Sequence, residues 1–291
     1  LYLFILMQIK EDKNKLKNGL YVVSTPIGNL SDITFRAIQT LKNSDVILCE
    51  DTRVSKKLLS SFDIKSKLVA YHKFNEKKYL SKIIKDLELN KIVSIISDAG
   101  TPTISDPGRI LINECLKRQI DVIPIPGASA PSAAISISGF SDRYYFHGFL
   151  SEKKSESYKD IEFLSKLDSS LIFFTSSNKL ENFIDLFIKF FEDREILICK
   201  EITKMYEQFF RLDVKDLNNI DLNLKGEITL VVSQKKYKEK NLKLLSESDK
   251  VKIRKLIGKI SVKDIVDIIC ESKDLSKKNV YNYCLKVKNE I

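Results

Sequence analysis

The stretch Leu-Tyr-Val-Val-Ser-Thr-Pro-Ile-Gly-Asn-Leu (residues 20–30) is a short apolar, β-branched run that stops on small polar residues and a Pro/Gly turn. Pro fixes φ and Gly admits φ above zero, so the run reads as a buried strand ending in a tight loop. The pattern recurs at Val46–Cys49, Leu68–Tyr71, Ile92–Ile96 and Val122–Ile125. A helical spacing of apolar residues follows each run. After the first, Ser31 and Asp32 precede Ile33, Phe35, Ile38 and Leu41, and offer short side chains to cap free N–H groups. Strands alternating with helices in this rhythm predict an open α/β sheet.

Downstream the rhythm changes. Tyr144–Leu150, Leu171–Thr175, Glu195–Lys200, Tyr206–Leu212 and Glu227–Val232 read as strands, with helical patterns only at Tyr158–Leu167 and Leu180–Phe190. This predicts a second α/β domain with a mixed sheet. The expected organisation is an arm (1–18), an N-terminal α/β domain (19–131), a C-terminal α/β domain (132–236) and a helical module (237–291). A charged linker, Gln234–Asn241, leads into helical patterns at Lys250–Ile257, Val262–Cys270 and Ser276–Val287.

With 291 residues, 43% of them apolar, the chain can bury a real core, which excludes a disordered tail, a collagen-like fibre and a small stapled scaffold. Five scattered cysteines and two histidines, with no CxxC pair, argue against a zinc site or a disulfide framework, and fit a reducing cytoplasm. The apolar run Leu1–Met7 falls far short of the ~20 residues that span a bilayer. The net charge is +10, unevenly placed. Residues 235–291 hold 16 Lys and Arg against 8 Asp and Glu, whereas the rest hold 33 against 31. A basic terminal module reads as facing a polyanion such as nucleic acid; a Lys-rich solubilising surface is the rival reading.

Ligands of open α/β sheets bind beyond the carboxyl ends of the strands. The unusual residues of this chain sit at those ends: Ser24–Leu30, then Glu50-Asp51-Thr52-Arg53, then His72-Lys73-Phe74-Asn75-Glu76, then Ser97–Gly108, then Pro126-Gly127-Ala128-Ser129. The first loop could be only a turn. Glu50–Arg53 reads either as a helix cap with an ion pair or as a proton-transfer and positioning group. The fourth loop, with two Asp, two Pro and two Gly within the eleven residues Asp98–Gly108, favours function. His72 reads as a surface residue and His147 as structural. GxGxxG, GxxxxGK[ST] and HExxH are all absent.

In this order the loops resemble the tetrapyrrole methylase superfamily, and within it the small-subunit ribosomal RNA methyltransferase I family. The resemblance rests on residues 20–34, 50–53 and 97–102. It is extended by His72…Asn75-Glu76, by Ser141-Asp142-Arg143 leading to Gly148-Phe149-Leu150, by Glu201-Ile202-Thr203-Lys204 and by Lys225-Gly226-Glu227. It covers residues 19–233 and, more weakly, the C-terminal helices, where 276–281 is similar to the last helix of a helix-turn-helix-type unit. Lys73-Phe74, Ala128-Ser129-Ala130 and Met205-Tyr206-Glu207 depart from the family pattern.

The resemblance implies two α/β domains with S-adenosylmethionine between them, and no metal. It implies 2′-O-methylation of a cytidine ribose in the decoding region of 16S rRNA within the 30S subunit, by a cytoplasmic homodimer. Pro26, Ile27, Gly28, Asn29, Asp98, Ala99, Gly100, Thr101, Gly127, Ser129, Phe174 and Thr175 would hold the cofactor. Glu50, Asp51 and Arg53 would face the ribose, with Asp51 as base and Lys204 reaching in from the second domain. His72, Asn75, Glu76, Glu201, Lys277, Lys278 and Tyr281 would contact RNA. Two other readings share these features: a tetrapyrrole or other small-molecule methyltransferase, and a non-catalytic RNA-binding assembly protein.

Overall fold

Buried apolar runs must pair edge to edge to satisfy their backbone N–H and C=O groups, and the helices between them cover both faces. The computed structural model describes residues 16–219, 226–236, 245–271 and 275–289, and in it five such runs form one parallel sheet. Its strands are β1 (Gly19–Val23), β2 (Val46–Cys49), β3 (Lys67–Ala70), β4 (Ile92–Ile95) and β5 (Val122–Ile125), in the order β3-β2-β4-β1-β5. Helices α1 (Phe35–Lys42), α2 (Thr52–Ser61), α3 (Glu76–Glu88) and α4 (Arg109–Lys117) connect them. Leu20 and Leu48 feed one core layer and Tyr21, Val23 and Ile47 the opposite one, as strand alternation requires. Helix α1 starts later than the sequence reading placed it: Thr34, not Ser31 or Asp32, caps it by accepting from the Ala37 N–H.

The second sheet, order β6-β7-β10-β8-β9, is mixed. Its strands are β6 (Tyr144–Phe149), β7 (Ser170–Ser176), β8 (Glu195–Lys200), β9 (Gln208–Asp213) and β10 (Glu227–Val232). Helices α6 (Lys154–Ser165) and α8 (Ile184–Phe191) pack Ile161, Leu164 and Phe187 onto one face; the short α7 (Ser177–Leu180) precedes α8. Helix α5 (Ala130–Ser138) places Ala134 on the other face, against Ile172, Leu197 and Val231. The division read at 131/132 thus falls inside α5, and the described residues up to Lys235 form one compact unit.

Arg194, 1% exposed, ties this half together. Its guanidinium donates to the carbonyls of Ser165 (2.8 Å), Leu167 (3.0 Å) and Ser233 (3.2 Å) and lies 5.1 Å from the Phe191 ring. Burial lowers its pKa, against the nearby charges of Asp193 and Asp168, which favour the ionised form. Arg194→Met is expected to cost roughly 3 kcal/mol, because it strands buried carbonyls. An unchanged urea midpoint would refute that role.

The second unit has its own core. Helices α9 (Glu247–Leu256), α10 (Val262–Cys270) and α11 (Lys277–Asn289) bury Ile253, Ile265, Ile269, Val280, Cys284 and Val287. Ser246 and Asp249 form a capping box on α9, and Ser261 caps α10. Lys225 and residues 237–241 of the charged linker lie outside the described residues.

Candidate active site

In the parallel sheet the connections from β1 and β4 leave in opposite directions, so the crevice of the fold opens between these neighbours. The loops beyond them meet there: Thr25 and Gly100 exchange backbone hydrogen bonds of 2.9 and 3.1 Å. The Thr25 hydroxyl donates to the Ser97 carbonyl, and the Thr101 hydroxyl to that of Ala128, which joins the first, fourth and fifth loops.

Between this rim and the second sheet lies a cavity of about 390 Å³. The parallel sheet contributes Ile27, Asp98, Ala99, Gly100, Thr101, Ile104, Ser105 and Asp106, and the start of α5 adds Ser129, Ala130 and Pro131. The second sheet contributes Phe149, Phe174, Thr175, Ser176, Lys179, Cys199, Ile202 and Glu227–Thr229. Of the expected cofactor residues, Ile27, Asp98, Ala99, Gly100, Thr101, Ser129, Phe174 and Thr175 line it. Burial pushes the Cys199 thiol up to about 12, so it enters as an apolar wall.

Pro26, Gly28, Asn29 and Gly127 do not line the cavity. Gly127 lies against Ser24: a Cβ there would stand 2.9 Å from the Ser24 Cβ. Gly28 is covered by the 202–204 corner, where a Cβ would stand 2.4 Å from Lys204 Cγ. The Asn29 N–H donates to Thr203 Oγ1 at 3.1 Å, and the Asn29 side chain accepts from the Ser31 N–H. Gly28 and Asn29 thus join the two halves, whereas Gly127 packs within the first.

Lys204 belongs to the same joint. Its ammonium donates to Glu201 Oε1 (2.9 Å) and Glu227 Oε2 (3.0 Å). Burial opposes this charge, but the two carboxylates outweigh it and hold the pKa above the ordinary lysine value. Glu201 also accepts from the Glu227 N–H, and that bond together with Lys204 keeps its carboxyl below the usual range despite burial. Both side chains are committed to the hydrogen bonds of this corner.

Asp51 is likewise committed. Its carboxylate caps α2 by accepting from the Arg53 N–H at 2.8 Å, and it takes the Arg53 guanidinium at 2.6 Å. Arg53 holds the carboxyl down to about 2. That is a poor proton acceptor, so the geometry favours the helix-cap reading over a base. Asn75 is spent too: its Oδ1 accepts from the His72 N–H, and its amide lies 3.1 Å from both the Ala70 carbonyl and His72 Nε2.

Three carboxylates remain near the crevice. Burial pushes Asp106 up first; Ser97 pulls it down and Asp98 pushes it further. Asp98 is raised by burial and by Asp51, though it accepts from the Asp51 N–H. Glu50 is raised by burial, Asp106 and Asp98, with His72 acting the other way. Asp106, half-buried on the cavity wall, is among the cavity residues that the sequence does not single out. The available signal was the second Asp in the Pro/Gly-constrained loop. His147 is kept neutral mainly by burial, 3.8 Å from Asp160, within the second half.

In the second unit Lys277 is paired with Asp267 at 2.9 Å, so of the three expected RNA contacts it is already engaged. Lys278 and Tyr281 are exposed on the same helix. Among the described residues no helix is long and apolar enough to cross a membrane, and no cluster of His, Cys, Asp and Glu is arranged to hold a metal.

Two α/β halves closing on a cavity at the switch point define a methylase-type fold, and residues 19–218 match the family of Tetrapyrrole (Corrin/Porphyrin) Methylases. A cobalt precorrin-4 methyltransferase superposes with TM-score 0.55 at 19% identity, covering 74% of this chain and 94% of that one. A uroporphyrin-III C-methyl transferase from Thermus thermophilus, complexed with S-adenyl homocysteine, superposes with TM-score 0.54 at 12% identity, covering 74% and 97%. Sequence similarity is narrower. The Rickettsia prowazekii protein called Ribosomal RNA small subunit methyltransferase I is 40% identical over 284 residues, 94% of this chain and 98% of that one. The Bacillus subtilis protein of the same name is 41% identical over 217 residues, 73% and 74%. The chain belongs to the ribosomal RNA small subunit methyltransferase I family.

Proposed function

We propose that this protein transfers the methyl group of S-adenosylmethionine to the ribose 2′-hydroxyl of a cytidine in the decoding region of 16S rRNA, on the 30S subunit, as a cytoplasmic homodimer. The observation that carries the reading is the cavity at the β1/β4 switch point, in a chain whose relatives bear the ribosomal RNA methyltransferase name. The residues present fit the donor. Ile228, Thr229 and Cys199 give an apolar floor, while the Asp98 carboxylate and the Ser129–Ala130 helix start give opposite poles for the cationic and anionic ends of an amino acid. S-adenosylmethionine, when bound, supplies an activated methyl group on a sulfonium.

The chain's own residues then have two tasks. The strand-tip loops position the hydroxyl in line, which is worth much of the rate. A carboxylate accepts the hydroxyl proton as the C–O bond forms. Asp106 is the best placed: it lines the cavity and its raised pKa makes it a better acceptor than Asp51.

The direct test is methyl transfer from labelled donor to 30S subunits lacking the modification, with the product nucleoside identified. 2′-O-methylcytidine is the expected product. Label on a base, or none on RNA with tight donor binding, would refute the reading and favour a different methyl acceptor or an assembly role.

The basic second unit, with Lys278 and Tyr281 exposed, is proposed to contact the RNA backbone. Phosphate contacts release counterions, each worth a slope of about −0.7 to −0.9 in log K against log salt. Deleting residues 238–291 is expected to leave donor affinity intact, weaken 30S binding and flatten its salt dependence. An unchanged salt slope would mean the Lys-rich surface serves only solubility.

A further inference from the structure

Strand β6 contains a bulge. It pairs Phe146 with Ile172, then Gly148 with Phe173 and Phe149 with Phe174, which leaves His147 as an extra residue. Side chains alternate along a strand, so one extra residue resets the phase. Phe146 and Phe149 therefore emerge on one face, and both rings meet Phe174, at 5.0 and 5.4 Å. Without the bulge, Phe149 would share the face of His147, which packs on Phe173. Gly148 permits the turn with φ +81, and a Cβ there would stand 3.4 Å from Ser105 Oγ in the fourth loop.

The bulge thus aims a large ring at the cavity. It stands on the rim of the cavity, with Ile104, and not on the floor. Cys199, Ile228 and Thr229 are at most 5% exposed, whereas Phe149 is 61% exposed and Ile104 is 51% exposed. A small donor buries most of its surface in a pocket, so it takes the closed floor. The exposed rim is left to the acceptor.

We propose that Phe149 is a stacking platform for the base of the target nucleotide, holding its ribose over the cavity, which rests on the RNA-methylation reading above. Phe174 backs the ring from the wall side. Stacking tolerates any base, because every base has a π face. Phe149 therefore fixes where the nucleotide sits, and recognition of cytidine is left to polar groups.

The test is steady-state methylation of unmodified 30S subunits by the full chain carrying Phe149→Leu, alongside calorimetry with S-adenosylhomocysteine. The KM for 30S subunits is expected to rise roughly 10-fold or more, with kcat and S-adenosylhomocysteine affinity changed by less than about twofold. Phe149→Trp is expected to restore the KM. An S-adenosylhomocysteine affinity that falls in Phe149→Leu would assign the ring to the donor pocket and overturn the proposal. So would an unchanged KM, or a raised KM that Trp does not rescue. Wild-type protein that transfers nothing to 30S subunits would overturn the underlying reading and the platform with it. Wild-type transfer with an unchanged variant KM overturns the platform alone.

Discussion

Replacing Asp106 with Asn is expected to lower kcat on 30S subunits by roughly 100-fold or more, and to raise the melting temperature at neutral pH. The two effects share one cause. Burial, and then the Asp98 charge, lift the Asp106 carboxyl above its ordinary value against the pull of Ser97. A carboxyl raised in the folded state contributes stability below its unfolded pKa, and that contribution is lost as pH rises through the folded pKa. At neutral pH the ionised group is thus a net cost, and neutral Asn removes it. Below the ordinary carboxylate range both proteins carry a neutral side chain, and the difference in melting temperature should vanish. The same shift places the acid limb of the wild-type kcat profile above the ordinary carboxylate value. Asp51→Ala is the control: Arg53 holds that carboxyl down to about 2, so the acid limb should persist while the lost α2 cap lowers the melting temperature. Near-wild-type turnover in Asp106→Asn would move the base to Glu50.

The strands and their tip loops were legible because turn residues punctuate apolar runs, and the rim of the parallel sheet follows from that alone. What the sequence could not carry was adjacency. Thr25 meets Gly100 because β4 lies beside β1, an order set by crossovers rather than by local spacing. The cavity residues Glu227–Thr229 enter because β10 pairs with β7, with Ile228 opposite Thr175. The Glu50–Arg53 stretch allows both cap and catalyst, and the bond from Arg53 to Asp51 favours the cap. Phe149 was hidden for another reason. Aromatic residues stand at both parities of Tyr144–Phe149, so nothing in the spelling marks the extra residue that turns it. The α1 start was misplaced because Ser31 and Asp32 are good caps, yet they form a separate turn that Asn29 caps.

Adjacency also changes the reason why Gly28→Val is expected to weaken donor binding strongly. The sequence suggests a backbone cradle around the ligand, but the structure puts Gly28 under the second half. A side chain there would meet Lys204 Cγ at 2.4 Å, Thr203 Oγ1 at 2.8 Å and the Ile202 carbonyl at 3.1 Å. Lys204 can retreat only by leaving Glu201 and Glu227. Those bonds brace a corner in which Glu201 and Thr203 hold φ of 50 and 66, a conformation that non-glycine residues rarely adopt. Ile27, one residue before the glycine, and Ile202, at the corner, are walls of the cavity on opposite sides. Val would therefore push the walls apart rather than fill the site. A displacement near 1 Å costs on the order of 100-fold where geometry sets binding and rate. S-adenosylhomocysteine affinity should fall by about that factor, with the far-ultraviolet circular dichroism unchanged because the core layers lie elsewhere. Lys204→Ala should weaken binding less by itself and should relieve part of the defect of Gly28→Ala, since the pair is in contact and its effects cannot add. Wild-type affinity in Gly28→Val would mean that the joint between the halves does not set the width of the cavity.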